Sequence, residues 1–310
     1  MDDVLVVGET LVDIVLRDAT TAGEHPGGSP ANVALGLGRL GRQVSLLSRL
    51  GDDERGERVR AHLEASGVTL TPGTVAAGPT STATARLDEL GVASYEFELD
   101  WRLPDDVELP PARALHTGSI AAFLAPGGES VLELVHRARG NLTVSYDPNA
   151  RPVLMGNAGP ARERVERFAA AADVVKVSDE DLGYLYPDRS PLDVAREWVA
   201  DRVTPMLVVV TRGGQGAFAV TPLAEVTVPP PLPVPVVDTV GAGDSFMSGL
   251  IDALRRADLL RHEHADTLRR LDRSELTAVV TDAALCASIT VSRAGADPPT
   301  RAELDALRPA

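Results

Sequence analysis

The run Asp238-Thr239-Val240-Gly241-Ala242-Gly243-Asp244 sets three nearly bare residues directly before a carboxylate. An extended apolar stretch precedes it and a helical pattern over 250–254 follows, so Gly-Ala-Gly-Asp should open a helix. The first amides of a helix lack intrahelical acceptors and sit at the positive end of its dipole, which makes them an anion site. Gly241, Ala242 and Gly243 let those amides approach phosphate oxygens closely. A carboxylate in the same turn opposes simple phosphate binding. It has a use if Asp244 takes the proton of an attacking hydroxyl while the amides hold charge on a transferring phosphoryl group. The plainer alternative is a helix-capping carboxylate behind a tight glycine turn.

A second polar run, Pro26-Gly27-Gly28-Ser29-Pro30-Ala31-Asn32, opens another helix, with Ser29 expected as N-cap and Pro30 at the first helical position. Gly27 and Gly28 allow a ligand close to the backbone, and Asn32 offers a donor and an acceptor to vicinal hydroxyls; a buried capping network is the alternative. Asp13 follows the first strand through Gly8-Glu9-Thr10-Leu11-Val12, where ligands meet α/β sheets, and as a pure acceptor it suits sugar hydroxyls. Thr211-Arg212-Gly213-Gly214-Gln215-Gly216 is a glycine-rich turn after an apolar run, against which a nucleotide could lie, although any tight strand connection uses glycine. Arg151 can grip a phosphate or an acidic sugar with two parallel hydrogen bonds, or serve a structural ion pair. The sequence has no GxxxxGK[ST] loop, no GxGxxG after the first strand, and no HExxH or Cys/His metal spacing, which argues against those enzyme classes.

The elements that must position these residues follow an alternating pattern. Short apolar runs at 4–7, 44–47, 114–117, 143–146, 174–177 and 207–210 read as strands buried on both faces. Helical patterns at 31–39, 55–65, 130–138, 162–171, 192–201 and 277–292 lie between or after them. The expected fold is α/β, a doubly wound, mostly parallel sheet flanked by helices, in one domain spanning 1–310. The stretches 13–25 and 81–97, the second continuing to 102, alternate with period two and predict antiparallel strands outside the main sheet, as a lid or a dimer surface, with a surface hairpin of no role as the plainer alternative. Residues 228–235 are proline-dense and should be irregular.

Composition narrows the partners. A formal charge of -15 repels nucleic acid and anionic membranes, so an anionic ligand needs a local trap. Lys176 is the sole lysine. The single cysteine, Cys286, lies in an apolar Ala-rich stretch and reads as packing, which suits a reducing compartment. The N-terminus lacks a basic region, no apolar run reaches membrane-spanning length, and a cytoplasmic protein is expected.

With these segments placed, the chain resembles the ribokinase-like, or PfkB, family of carbohydrate kinases across nearly its full length. Gly27 to Asn32 is similar to that family's N-terminal sugar signature, Gly51-Asp52-Asp53-Glu54-Arg55-Gly56 to its Gly-Asp-Asp turn, and Asp238 to Asp244 to its C-terminal signature. The resemblance implies that Asp244 is the base and that Gly241, Ala242 and Gly243 with Asp244 form the anion hole. It places the sugar on Asp13, Gly27, Gly28, Asn32 and Arg151, and ATP along Lys176, Thr211, Gly213, Gly214 and Gly216. It also implies Mg²⁺, handled indirectly through Asp181, and a monovalent cation such as K⁺ at Asp238 and carbonyls of 292–296.

Within that family, Asp147-Pro148-Asn149-Ala150-Arg151-Pro152 and Lys176-Val177-Ser178-Asp179-Glu180 look most like fructokinases. The chain departs from the family where Ser178 and Asp181 replace Asn-x-x-Glu, and where Ala284 replaces an Asn near the adenine. The lid run 95–102 matches neither fructokinases nor 2-keto-3-deoxygluconate kinases. The resemblance implies ATP- and Mg²⁺-dependent phosphoryl transfer to a sugar hydroxymethyl, with fructose as the first substrate to test and a homodimer through the lid. The rivals are a 2-keto-3-deoxygluconate kinase, a ribokinase-type kinase and a catalytically silent sugar-binding regulator.

Overall fold

The computed structural model describes residues 3–17, 20–87, 93–104, 107–200, 205–260 and 265–308. Its main sheet is built from β1 (Val4–Val7), β4 (Val44–Leu47), β6 (Val68–Leu70), β10 (Ala114–Gly118), β11 (Thr143–Asp147), β12 (Val174–Ser178), β13 (Leu207–Thr211), β14 (Ala217–Val220) and β15 (Glu225–Val228). The spatial order is β15-β14-β13-β12-β11-β10-β1-β4-β6, parallel from β6 to β13 and antiparallel at the last two strands. The run from β1 to β4 and β6 goes one way, and the run from β10 to β13 goes the other. The order therefore reverses between β1 and β10, and the carboxyl ends of strands beside such a reversal open onto a crevice.

Every residue of β1, β4, β10 and β11 is buried, as befits strands covered on both faces. Period-two alternation then divides the core in two. Val4, Val6, Leu46 and Val209 pack with α1 (Ser29–Arg39), α9 (Ala242–Arg256) and α11 (Arg273–Val291). Leu5, Val7, Tyr146, Val175 and Val177 pack on the other face with α4 (Gly127–Ala138), α6 (Ala158–Ala169) and α8 (Pro191–Ala200). α11 is long and apolar enough to cross a membrane by length and composition, contrary to the expectation from sequence; ten of its residues are buried instead, five of them in the core shared with α1 and α9 and three in a smaller cluster with Leu40 and Leu304.

A second sheet has the order β3-β2-β8-β9, from β2 (Leu11–Arg17), β3 (Thr20–Gly27), β8 (Thr82–Leu87) and β9 (Ala93–Glu98). It lies where period-two alternation placed it, but it is not purely antiparallel. β2/β3 and β8/β9 are antiparallel pairs, whereas β2 and β8 run parallel. Both enter the sheet in the same direction, β2 directly from β1 and β8 after the crossover through α2 (Glu54–Ala65). Residues 18, 19 and 88–92 of the expected lid lie outside the described residues. The Gly-Asp-Asp turn is the clasp of this crossover. Asp53 caps α2 through Gly56 N–H (2.8 Å) and accepts from both the amide (3.0 Å) and the hydroxyl (2.6 Å) of Thr80, while Asp52 accepts from Gly78 N–H (3.1 Å).

Candidate active site

α9 begins at Ala242 behind Gly241, whose φ of 72° is left-handed and suits glycine. No side chain caps this end, so Asp244 is not the capping carboxylate of the plainer reading. Its carboxylate instead reaches the other signature. Ser29 Oγ donates to Asp244 Oδ1 at 2.6 Å, and Asn32 Nδ2 donates to Oδ2 at 2.8 Å. Ser29 therefore differs from its expected place. The N-cap is Gly28 at φ 101°, Ser29 is already helical, and its hydroxyl serves Asp244 rather than the helix end. Two donors fix the plane of the carboxylate, and each oxygen keeps a lone pair. α9 is held from behind by α11: Thr290 Oγ1 donates to Ser245 Oγ (2.7 Å), and a side chain at Gly249 would meet Cys286 Sγ at 2.8 Å. Cys286 is packing, as read, and burial pushes its thiol up to about 12.

Of the amides expected to hold an anion, that of Ala242 turns to Thr239 O at 3.2 Å, while the first amides of the helix beyond it have no acceptor within their own turn. The Lys176 ammonium lies behind them, 2.9 Å from where a Cβ on Gly243 would stand. Asp238 Oδ1 accepts from Val240 N–H (3.0 Å) and Oδ2 from Gly295 N–H (2.8 Å), which joins the loop before α9 to the loop after α11. These amides hold the Asp238 carboxyl below its usual range.

Asp13 sits on β2 opposite His25 of β3, and its Oδ2 fills the space a side chain on Gly27 would need. Burial raises the Asp13 carboxyl, the nearby charges of Arg151 and His25 oppose that, and Asp244 adds to it, so these four groups share one electrostatic neighbourhood. Among the described residues Arg151 makes no ion pair: its Nη1 donates to Asn149 O (3.0 Å), Asn149 Oδ1 (2.7 Å) and Ala150 O (3.1 Å). It also lines a cavity of about 420 Å³ with Arg164, Arg167, Ile120, Phe123 and Met155. Hydrogen bonds, and not that cavity, join Asp244 to Asn32.

Thr211 ends β13 opposite Ser178 of β12. Beyond Thr211, Gly213 and Gly214 have open space where side chains would project, and Gly216 (φ 82°) lies against the backbone of Val228 and Pro229. β12 and β13 thus end side by side, and Lys176 of β12 reaches the Gly243 turn of α9.

The model of the pfkB family of carbohydrate kinases matches residues 1–303. The chain belongs to that family. It is 35% identical over 277 residues to a fructokinase of Rhizobium leguminosarum bv. trifolii, covering 86% of this chain and 83% of the relative. A fructokinase of Vibrio cholerae O395 solved in a fructose-, ADP- and potassium-bound form superposes with a TM-score of 0.79 at 27% identity, covering 99% and 98%. Aminoimidazole riboside kinase of Salmonella enterica, solved with aminoimidazole riboside and an ATP analog, gives 0.79 at 27%, covering 99% of each chain. The protein is a sugar phosphotransferase that uses ATP, on a ribokinase-like fold.

Where this PfkB kinase departs from the family's motifs, local structure accounts for the residues present. Ser178 and Asp181 form a capping box on α7 (Asp179–Leu185): Ser178 Oγ accepts from Asp181 N–H (2.9 Å), and Asp181 Oδ2 accepts from Ser178 N–H (3.4 Å). Asp181 Oδ1 takes Ala150 N–H at 3.0 Å, tying the Asn149 loop to this helix. Ala284 is buried within α11.

Two acids escaped the reading of the sequence. Asp147 is one, described below. Glu9 is 4% exposed; its Oε2 accepts from Ala121 N–H (2.9 Å), and its Oε1 has no partner among the described residues. Its place four positions before Asp13 was the signal available, but nothing in that spacing foretells burial. Burial pushes Glu9 up to about 7, against the Ala121 amide and the charge of Arg151. The folded chain thus binds this proton more tightly than the unfolded one, and stability falls as pH rises from about 4.5 through about 7. Glu9→Gln, which cannot titrate, should be relatively more stable at pH 8 than at pH 5, by up to about 3 kcal/mol against the parent. Urea unfolding of both proteins at the two pH values measures it.

Proposed function

We propose that the protein is a fructokinase, which moves the γ-phosphate of ATP to a hydroxymethyl oxygen of fructose, with Asp244 as general base. The observation that carries the reading is the double clasp of Asp244 by Ser29 and Asn32. It puts a carboxylate with free lone pairs at the junction of the sugar signature and the α9 turn. Asp13, Gly27, Gly28, Asn32 and Arg151 hold the sugar, and the fructokinase relatives favour fructose. Asp244 accepts the hydroxyl proton as the oxygen attacks. The amides at Gly241, Gly243 and Asp244, with Lys176, hold the charge that grows on the phosphoryl group. Thr211, Gly213, Gly214 and Gly216 line the nucleotide.

Among the described residues, no group of three His, Cys, Asp or Glu is placed to hold a metal. Mg²⁺ carried on nucleotide phosphates needs only one or two carboxylates, and Asp181 serves that role through water. The Asp238 clasp of the two loops suits a K⁺ site on the carbonyls of 292–296, a role the potassium-bound relative supports. The second sheet is the lid and the dimer surface: β9 is an outer strand, on which Tyr95 is 58% exposed and stacks on Phe97. The lone buried thiol suits a reducing cytoplasm.

ADP release from a panel of fructose, ribose, 2-keto-3-deoxygluconate and aminoimidazole riboside, with and without Mg²⁺ and K⁺, tests the proposal. Fructose should have the highest kcat/KM. A higher value on another member reassigns the substrate, and no turnover on any sugar removes the kinase reading.

A further inference from the structure

Asp147 closes β11 and Lys176 lies in β12, and alternation turns both toward α9, because Tyr146, Val175 and Val177 face the opposite layer. Lys176 Nζ donates to Asp147 Oδ2 at 2.9 Å, with the side chains 4% and 1% exposed. The same nitrogen is 2.9 Å from the position of a Gly243 Cβ, so this ammonium packs against the second residue of α9. Asp181 and Asp244 also act on Lys176, and Lys176 acts on His116 of β10. A lysine stem has four rotatable carbons, and a buried ammonium goes to whichever acceptor is offered. Without Asp147, the carboxylates left to draw the ammonium are Asp181 and, on the α9 turn, the base Asp244.

We infer that Asp147 is a positioning residue for phosphoryl transfer: its carboxylate pins the Lys176 ammonium against the Gly243 turn, beside the transferring group, and keeps it from turning to Asp181 or to Asp244. The inference rests on the kinase reading of this site and gives it a division of labour. One carboxylate takes the substrate proton, and the other holds a cation at a fixed place.

Because Lys176 is the only lysine, protein grown with ¹⁵Nζ-lysine carries one such signal, which reports the pair whether or not the enzyme turns over. In Asp147→Asn that signal should move, and kcat should fall by at least about tenfold, while the dissociation constant for fructose without nucleotide stays within about twofold. Lys176→Met should lose a similar factor. Adding Asp147→Asn to it should then cost less than about twofold more, because the carboxylate has nothing left to hold.

Asp147→Asn with parental turnover overturns the inference. So does an equal loss from Asp147→Asn in the presence and absence of Lys176, which marks a purely structural residue. Should Asp147→Asn not fold, Asp147→Glu keeps the charge and displaces it by one methylene. A moved signal with lowered kcat then supports the inference, and parental values for both overturn it. If the parent itself phosphorylates no sugar, the kinase reading fails, while the ¹⁵N comparison still reports on the ion pair, so the two failures differ.

Discussion

Asp244→Asn should lower kcat by roughly 10² to 10⁴ while leaving fructose binding close to parental. The amide is the right replacement because its shape preserves the clasp. Its oxygen can accept from Asn32, and its NH₂ can meet Ser29 Oγ, which changes from donor to acceptor. What the variant loses is the capacity to take a proton. The expected result is a fall in kcat with little change in sugar affinity or melting temperature, measured by coupled ADP assay, calorimetry of fructose binding and thermal unfolding. Turnover within tenfold of the parent would remove Asp244 as base. A loss of sugar affinity with kcat intact would turn it into a binding residue.

The second large effect belongs to Gly28. At φ 101° a side chain is strained, and a Cβ there would stand 2.5 Å from the carbonyl oxygen of Glu9, a backbone atom that cannot swing away. Gly28→Ala should destabilise the fold by about 2 to 4 kcal/mol and weaken sugar binding, since the same shift moves Asn32 and Asp13 apart. Gly27→Ala separates the two effects. Its Cβ would displace the Asp13 carboxylate, a side chain that can rotate, so affinity should drop with a smaller loss of stability. Urea unfolding and fructose titration of both variants measure this. Equal stability of Gly28→Ala and the parent would show that the turn can relax.

The fold was legible where strands are buried on both faces, because an apolar run such as 207–210 has one reading in such a sheet. β14 and β15 were missed: they add to the sheet edge as a hairpin, and Glu225-Val226-Thr227-Val228 alternates too briefly to stand out. The parallel pairing of β2 with β8 could not be read from either strand alone, since alternation gives a strand's face and not its partner's direction. For the candidate site, residue types and glycines singled out Asp244, Asn32 and Asp13, and the structure joins the first two by a hydrogen bond. The role of Ser29 was misread because a hydroxyl before Pro30 has a ready local explanation, whereas its true partner is 215 positions away. Asp147 went unrecognised as a partner of Lys176 for the same reason. The 29 positions between them become neighbours only when β11 and β12 lie side by side.

The distance along the chain between Ser29 or Asn32 and Asp244, 215 and 212 positions, also has a consequence for biosynthesis. Ser29 and Asn32 leave the ribosome 215 and 212 positions ahead of the proposed proton acceptor. A translation product ending before α9 would lack the proposed base, and expressing the two portions as separate polypeptides would make phosphorylation a direct gauge of their reassembly.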